Sequence, residues 1–202
     1  MNEIEENLSK IEAYESHDDI DWSLVTQNLT SLCLALVRNF KSLNPEVKIY
    51  GAVIDSGQNW ELNLHLNSEE GWIEMPKRFR EENSKWYGDK SDQEIFDSLG
   101  RWYYDAWKYQ YLDFVFLGDH PNVNEIHNGV FDAFPYEDGV YDNFTLSCAR
   151  AFIAVRSSAE LTGINQTEDF EIRFHDSNSL EWEVDELIAK AKNSQQGSDG
   201  IG

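Results

Sequence analysis

The stretch from Val47 to Asn67 reads VKIYGAVIDSGQNWELNLHLN, and this pattern decides the fold. Its first part, up to Asp55, is rich in residues that favour β-strands, and its last part, from Trp60, alternates strictly between apolar and polar residues. The linking residues Ser56-Gly57-Gln58-Asn59 have the composition of a hairpin turn. The sequence therefore predicts a half-buried antiparallel pair, with one face formed by Trp60, Leu62, Leu64 and Leu66 and the other by Glu61, Asn63, His65 and Asn67.

An amphipathic helix is predicted directly before this pair. Its apolar residues recur at steps of three and four, which is the stripe of a helix that faces a core: Trp22, Val25, Leu29, Leu32, Leu36, Phe40 and Leu43. Asp21 is suited to cap the helix at its start, and Asn44-Pro45 ends it.

Three further elements are predicted near the end of the chain. Apolar residues from Phe144 to Ala159 mark a second amphipathic helix that Gly163 closes. Residues 170–175 alternate as a strand, and residues 180–191 show a last helical stripe, capped by Ser177 or Asn178. Between these elements and the hairpin, residues 68–92 predict a surface helix with loops. Residues 94–117 fit helix and strand patterns only partially, so their type stays open.

The order of these elements predicts a single α+β domain, a mainly antiparallel sheet flanked by amphipathic helices. We assign this domain to residues 21–192. Residues 1–20 are predicted to form an acidic N-terminal arm or a peripheral helix, and residues 193–202 a disordered tail. Residues 118–141 carry turn-forming residues and predict a long irregular segment, which in a domain of this size is often functional.

The charge of the chain is large and unevenly placed. Its 202 residues include 38 acidic and 16 basic side chains, for a net charge of -22. Residues 1–21 carry -7, residues 119–144 carry -6, and residues 164–186 carry -7. Charge gathered into blocks indicates a face that meets something positive, and it disfavours nucleic acid, whose phosphates need a basic surface.

The same composition predicts a cytoplasmic protein. The N-terminus lacks the basic and apolar regions of a secretory signal, and no apolar stretch is long enough to cross a bilayer, so no membrane association is predicted. Cys33 and Cys148 both fall in apolar helical patterns, which predicts two buried thiols rather than a disulfide framework.

Motifs of catalysis are missing from the sequence. It has no nucleophile elbow and no phosphate-binding glycine loop, and none of its five histidines pairs with another ligand at metal-binding spacing, so no cofactor and no metal are predicted. His120 and His127 share a segment with Asp119 and Glu125. The alternative to a binding protein is therefore a hydrolase or metal-assisted enzyme that uses these carboxylates and histidines.

The segment 131–144 interleaves aromatic and acidic residues and contains no basic residue. Aromatic anchors with a carboxylate rim suit an interface with a protein rich in Arg and Lys, although the same aromatics would also fit an acidic loop that tucks them into the core. The predicted partner-binding residues are Phe131, Asp132, Phe134, Tyr136, Glu137, Asp138, Tyr141 and Asp142.

Several motifs together resemble the bacterial family catalogued as domain of unknown function 4303. They span most of residues 21–176: Asp21-Trp22, Lys48-Ile49-Tyr50-Gly51-Ala52, Leu64-His65-Leu66-Asn67-Ser68-Glu69-Glu70-Gly71, Arg101-Trp102, Asp105-Ala106-Trp107-Lys108-Tyr109, Thr167-Glu168-Asp169-Phe170 and His175-Asp176. Members of this and similar small acidic families are found as immunity proteins beside polymorphic bacterial toxins. The resemblance therefore implies an antitoxin role and supplies no active site.

Together these observations predict an immunity protein that binds and neutralises a cognate, basic toxin without catalysis of its own. An acidic partner can occupy the basic groove of a nuclease toxin and associate quickly through electrostatic steering. Two other functions stay open, the enzyme described above and a general acidic mimic of nucleic acid. The sequence leaves the oligomeric state undetermined.

Overall fold

The computed structural model describes residues 20–56, 62–109, 139–176 and 179–196. Several predictions from the sequence lie outside these ranges. They are the N-terminal arm up to residue 19, the hairpin turn, the irregular segment 118–138, the caps Ser177 and Asn178, and the tail from residue 197.

A three-stranded mixed sheet organises the described residues. Its strands are β1 (Ile49–Ser56), β2 (Leu62–Ser68) and β3 (Gln166–Asp176), in the order β2-β1-β3. Strand β1 pairs antiparallel with β2, as the sequence predicts, and parallel with β3. The pairing register places Asp55 beside His175, and it places Val53 between His65 and Arg173.

The first face of the sheet packs against two long helices, α1 (Trp22–Leu43) and α5 (Val140–Arg156). The predicted N-cap of α1 is confirmed, since the Asp21 carboxylate accepts hydrogen bonds from the backbone N–H groups of Ser23 and Leu24, both at 3.0 Å. Cys33 and Cys148 are buried and free, as predicted. The main apolar core lies between this face and the helices, and it includes Leu29, Val37, Ala52, Ile54, Leu64, Phe144 and Phe152.

The second face of the sheet is also covered, so the prediction that the antiparallel pair is only half-buried is wrong, although its antiparallel pairing is correct. All seven residues of β2 are buried or partly buried, because the aromatic segment 102–107 folds across the face. The elements on this side are α2 (Glu69–Glu82), α3 (Ser84–Tyr87), α4 (Asp92–Leu99) and a 3₁₀ turn (Tyr104–Ala106). Tyr50, Val53 and Trp107 form its apolar centre, with Trp72, Trp102 and Tyr104 packed around them.

The C-terminal helices differ in their bounds from the prediction. Helix α5 ends at Arg156, and a separate short helix α6 (Ala159–Thr162) follows, with Gly163 at its C-cap. The break arises because the Ser158 hydroxyl accepts a hydrogen bond from the Leu161 N–H and starts a new helix there. Helix α7 (Glu181–Gln196) runs four residues into the predicted tail.

The α+β class predicted from the sequence is confirmed by this arrangement of sheet and helices. Within the four described ranges, no helix combines the length and the apolar character that a membrane span needs.

Candidate functional site

Polar side chains meet on the second face, at the carboxyl ends of β1 and β3. Asp55 and His175 are register partners, and the His175 Nδ1 lies 2.7 Å from the Asp55 Oδ1. The Tyr104 hydroxyl reaches both of them, at 2.9 Å from the Nδ1 and 3.4 Å from the Oδ1. In the neutral ring the Asp55 contact favours the tautomer with its proton on Nδ1, so Nε2 is then the basic nitrogen.

The charge of His175 depends on this contact. Its pKa is raised, first by the hydrogen bond to Asp55, against the opposing effect of burial, and further by the charges of Asp55, Asp176 and Asp105. The side chain is 44% exposed, so it exchanges protons with solvent. His175 is therefore protonated over a wider pH range than an ordinary histidine.

His65 lies on the neighbouring strand and behaves in the opposite way. Its pKa is lowered to about 4, chiefly by burial; the charge of Asp55 opposes this change, and the charge of His175 adds to it. The Tyr104 ring packs against both imidazoles, with centroid distances of 4.9 Å to His65 and 5.2 Å to His175. The two histidines thus differ in charge at pH 6, one neutral and buried and the other favouring its cation.

We expect Asp55→Asn to lower the pKa of His175, because the amide replaces the carboxylate that stabilises the imidazolium. Titration of the His175 ring protons by NMR measures this pKa directly. Asp105→Asn is the matched control, since it removes the same charge at an exposed position and contributes least to the shift. An unchanged His175 pKa in the Asp55 variant would contradict the assignment.

A cavity of about 330 Å³ opens beside His175. Its apolar and aromatic walls come from Val53, Trp102, Tyr104, Phe174 and Val184, and its polar lining comes from Arg173, His175, Ser179 and Glu181. The Arg173 guanidinium stacks on the Trp102 ring at 3.9 Å and forms two hydrogen bonds with the Glu171 carboxylate, at 3.0 and 3.1 Å. Aromatic walls with a few convergent polar groups are typical of a binding site.

A second polar cluster lies at the same end of the sheet, on the first face. Asp176 is buried, and its carboxylate accepts hydrogen bonds from the hydroxyls of Ser56 and Tyr141, both at 2.8 Å, and from the Ser179 hydroxyl. This carboxylate therefore joins β1, β3 and α5 and fixes the residues that lead into α7.

The start of α7 presents apolar side chains among carboxylates. Leu180 and Trp182 are 62% and 57% exposed. Asp185 and Glu186 are exposed and lie three and four residues after Trp182, on the same side of the helix. Leu180, Trp182, Asp185 and Glu186 are called the α7 patch below. The patch lies within the acidic block 164–186, so the mixture of aromatic and acidic residues is not confined to residues 131–144.

Two of the eight predicted partner-binding residues are described. Asp142 is exposed in the first turn of α5, whereas Tyr141 is partly buried with its hydroxyl bound to Asp176. The others lie outside the described residues, as do His120 and His127 of the enzyme alternative: Phe131, Asp132, Phe134, Tyr136, Glu137 and Asp138. Their role stays a prediction.

Sequence reasoning missed the pair of Asp55 and His175. Metal-binding spacing does not single out this pair, and the two residues are 120 positions apart in the sequence. The available signal was that Asp55 ends an apolar strand run and that His175 ends another, since polar residues at strand ends are often functional. The part of the chain that the structure describes holds no group of three or more His, Cys, Asp or Glu side chains arranged for a metal ion.

Several of the sequence motifs quoted above come together around Arg101 on the second face. Its guanidinium pairs with Glu69 and with Asp169, the latter at 2.9 Å, and it stacks on the Tyr50 ring at 4.0 Å. The Arg101 carbonyl accepts hydrogen bonds from the Tyr50 hydroxyl and the Trp107 indole N–H. These contacts give the motif residues a structural role in holding the aromatic segment on the sheet.

Comparison with known proteins gives no relative from which to infer an activity. No protein-family model, no curated protein and no solved structure matches the chain.

Proposed function

We propose that this chain is a cytoplasmic immunity protein that binds a basic toxin and neutralises it. The observation that carries the proposal is the α7 patch, where Trp182 is 57% exposed beside two exposed carboxylates. Exposed tryptophans with a charged rim are typical of the few residues that supply most of the energy of a protein interface.

The charges around the patch support a positive partner. Four carboxylates of this region form no ion pair with any other described residue: Glu168, Glu181, Asp185 and Glu186. Arg173, the only Lys or Arg in residues 164–186, is already bonded to Glu171. This region therefore keeps a negative electrostatic potential that attracts a basic protein. The four carboxylates have no ion pair with a described residue to break when they bind a cation of the partner.

Among the described residues, Trp86 is a second highly exposed tryptophan, and its neighbours differ from those of Trp182. Trp86 in α3 is 68% exposed, and the Lys85 ammonium lies 4.9 Å from its ring centroid. A cation at that place repels a basic partner. Trp86 therefore serves as a matched control for Trp182.

The test is binding to the protein encoded directly beside this chain's gene. We expect co-expression to restore growth of cells that make that protein, and we expect calorimetry with the purified pair to give a tight complex. Trp182→Ala should weaken the affinity about 30-fold, the change that corresponds to about 2 kcal/mol at an interface hot spot. Trp86→Ala should change it less than twofold.

Salt provides a second measurement on the same complex. We expect Asp185→Asn combined with Glu186→Gln to slow association and to flatten its dependence on ionic strength, because steering by exposed charges is screened by salt. Failure of the neighbouring protein to bind or to be inhibited overturns the proposal. Equal losses from the two tryptophan variants would remove the α7 patch from the interface.

The alternative is a hydrolase, and the observation that favours it is the contact between Asp55 and His175. A histidine held by a carboxylate is a general base in many hydrolases. Burial raises the pKa of the Cys33 thiol to about 12 and also raises that of Cys148, so neither thiol is an activated nucleophile. In this alternative His175 would activate a water molecule as the attacking group. Hydrolysis of p-nitrophenyl butyrate or bis-p-nitrophenyl phosphate that His175→Gln abolishes would support this function. Rates equal to those in buffer would exclude it for these ester classes.

A further inference from the structure

We infer that the 330 Å³ cavity beside His175 is a pocket for one lysine or arginine side chain of the basic partner. This inference rests on the proposed function and deepens it, because it gives the partner a specific anchor next to the α7 patch. Four features of the described residues carry it.

The cavity and the α7 patch are adjacent along the chain. Ser179 and Glu181 line the cavity, and Leu180 and Trp182, which alternate with them, belong to the patch. Consecutive Cα atoms are about 3.8 Å apart, so a protein that covers Trp182 lies close to residues that line the cavity.

The size of the cavity suits a single side chain. Pockets for small molecules span about 300 to 1,000 Å³, and a volume of about 330 Å³ lies at the lower end of that range. Val53 and Val184 offer apolar surface for a methylene stem, and Trp102 and Tyr104 add aromatic surface. Lysine and arginine side chains bury such stems while their charged ends bind a polar group.

The charges that line the cavity favour a cation. Two positive groups are present, but Glu171 holds Arg173 through two hydrogen bonds and Asp55 holds His175 at 2.7 Å. Glu181 is the lining carboxylate that forms no ion pair with another described residue. With the two pairs neutral, the cavity keeps the negative charge of Glu181.

The cavity wall already binds one guanidinium. Arg173 lies 3.9 Å above the Trp102 ring while its nitrogen atoms bond the Glu171 carboxylate. A cation between an aromatic ring and a carboxylate is the arrangement that the pocket would repeat with Glu181 and the partner's side chain.

The inference is tested without the partner, by titrating the full ¹⁵N-labelled chain with methylguanidinium chloride and with n-butylammonium chloride at constant ionic strength. These probes are the charged ends of arginine and lysine. We expect saturable shifts of the Trp102 indole N–H and of the Ser179 and Glu181 amides, with millimolar affinity. Comparison of the two probes shows which side chain the pocket prefers.

Glu181→Gln should weaken the binding of the preferred probe at least fivefold. Glu186→Gln is the matched control, because it removes the same charge from the same helix at a position that does not line the cavity, and we expect it to change the affinity less than twofold. Equal losses of affinity in both variants would show that the probe responds to the overall negative charge of α7, and this would overturn the pocket. Saturation by acetate or phosphate instead of the cations would also overturn it, since it would mean that Arg173 and His175 form an anion site.

The two proposals fail separately. A chain that binds the neighbouring protein but gives no saturable shift with either cation keeps the proposed function and loses the pocket. A chain that binds methylguanidinium at Glu181 but not the neighbouring protein keeps a cation pocket and loses its assignment to that toxin.

Discussion

Lowering the pH from 7 to 4 will destabilise the fold by about 3 kcal/mol through His65 alone. The buried ring has a pKa lowered from 6.5 to about 4, whereas the unfolded chain takes up this proton near pH 6.5. Between these values the unfolded state binds more protons than the folded state, so the free energy of unfolding falls as the pH falls. A difference in pKa of this size corresponds to about 3 kcal/mol.

The effect of His65 is isolated by comparing urea unfolding of the protein and of His65→Gln at several pH values between 7 and 4. The variant keeps a polar side chain of similar length that does not titrate. We expect the stability difference between the two proteins to shift by about 3 kcal/mol across this range in favour of the variant. Equal pH dependence in both proteins would show that the ring is not held neutral by burial.

His175→Gln is the informative control because its sign is reversed. The folded-state pKa of His175 is raised, chiefly by the hydrogen bond to Asp55, so its contribution to stability is fully present below the unfolded pKa near 6.5. That contribution is lost as the pH rises through the folded-state pKa. The free energy of unfolding of the wild type should therefore fall relative to that of His65→Gln as the pH is lowered, and relative to that of His175→Gln as the pH is raised.

The placement of His65 also shows where sequence reasoning reached its limit. The alternation from Trp60 to Asn67 predicts β2, but polar residues at every second position indicate a face in water. In the structure Asn67 on that face is buried and hydrogen-bonded. Its side-chain N–H₂ group donates to the Tyr50 hydroxyl, and its side-chain oxygen accepts from the N–H groups of Ser68 and Lys108. The periodicity of a strand cannot show whether a segment from elsewhere in the chain packs on its polar face.

The same limit applies to the candidate site. Helix α1 could be predicted with its cap because the stripe, Asp21 and Asn44 are all local signals. The contact of Asp55 with His175 depends on the parallel register of β1 and β3, which no local pattern fixes. The α7 patch was missed for a related reason, since the exposure of Trp182 follows from the side of α7 that packs on the core through Val184 and Ala191.

Replacing Asp176 with alanine will lower the free energy of unfolding by about 3 to 5 kcal/mol. The variant leaves the hydroxyls of Ser56, Tyr141 and Ser179 without their buried acceptor, and an intramolecular hydrogen bond contributes about 1 to 1.5 kcal/mol. Urea unfolding followed by tryptophan fluorescence measures the loss. A decrease below 1 kcal/mol would mean that the cluster contributes little to the fold.

Two milder variants keep this prediction testable if the alanine variant does not fold. Tyr141→Phe removes one donor and leaves two, so we expect a loss of about 1 to 2 kcal/mol. Asp176→Asn keeps the acceptor for Ser56 and Tyr141 but offers an N–H₂ group to Ser179, and its loss should lie between those of the other two variants. Equal losses from all three would contradict a role for the carboxylate itself.

The Asp176 cluster also links stability to the proposed recognition surface. The Ser179 N–H donates to the Asp176 carbonyl at 3.0 Å and the Ser179 hydroxyl donates to its carboxylate, so Asp176 sets where α7 begins. Glu181 and Trp182 follow directly. We therefore expect Asp176→Asn, under conditions at pH 7 where the variant is folded, to bind both methylguanidinium and the neighbouring protein more weakly. Tyr141→Phe leaves Ser179 in place, so we expect both of its affinities to stay within about twofold of the wild type. Equal binding by both variants would show that α7 is held by its core contacts alone.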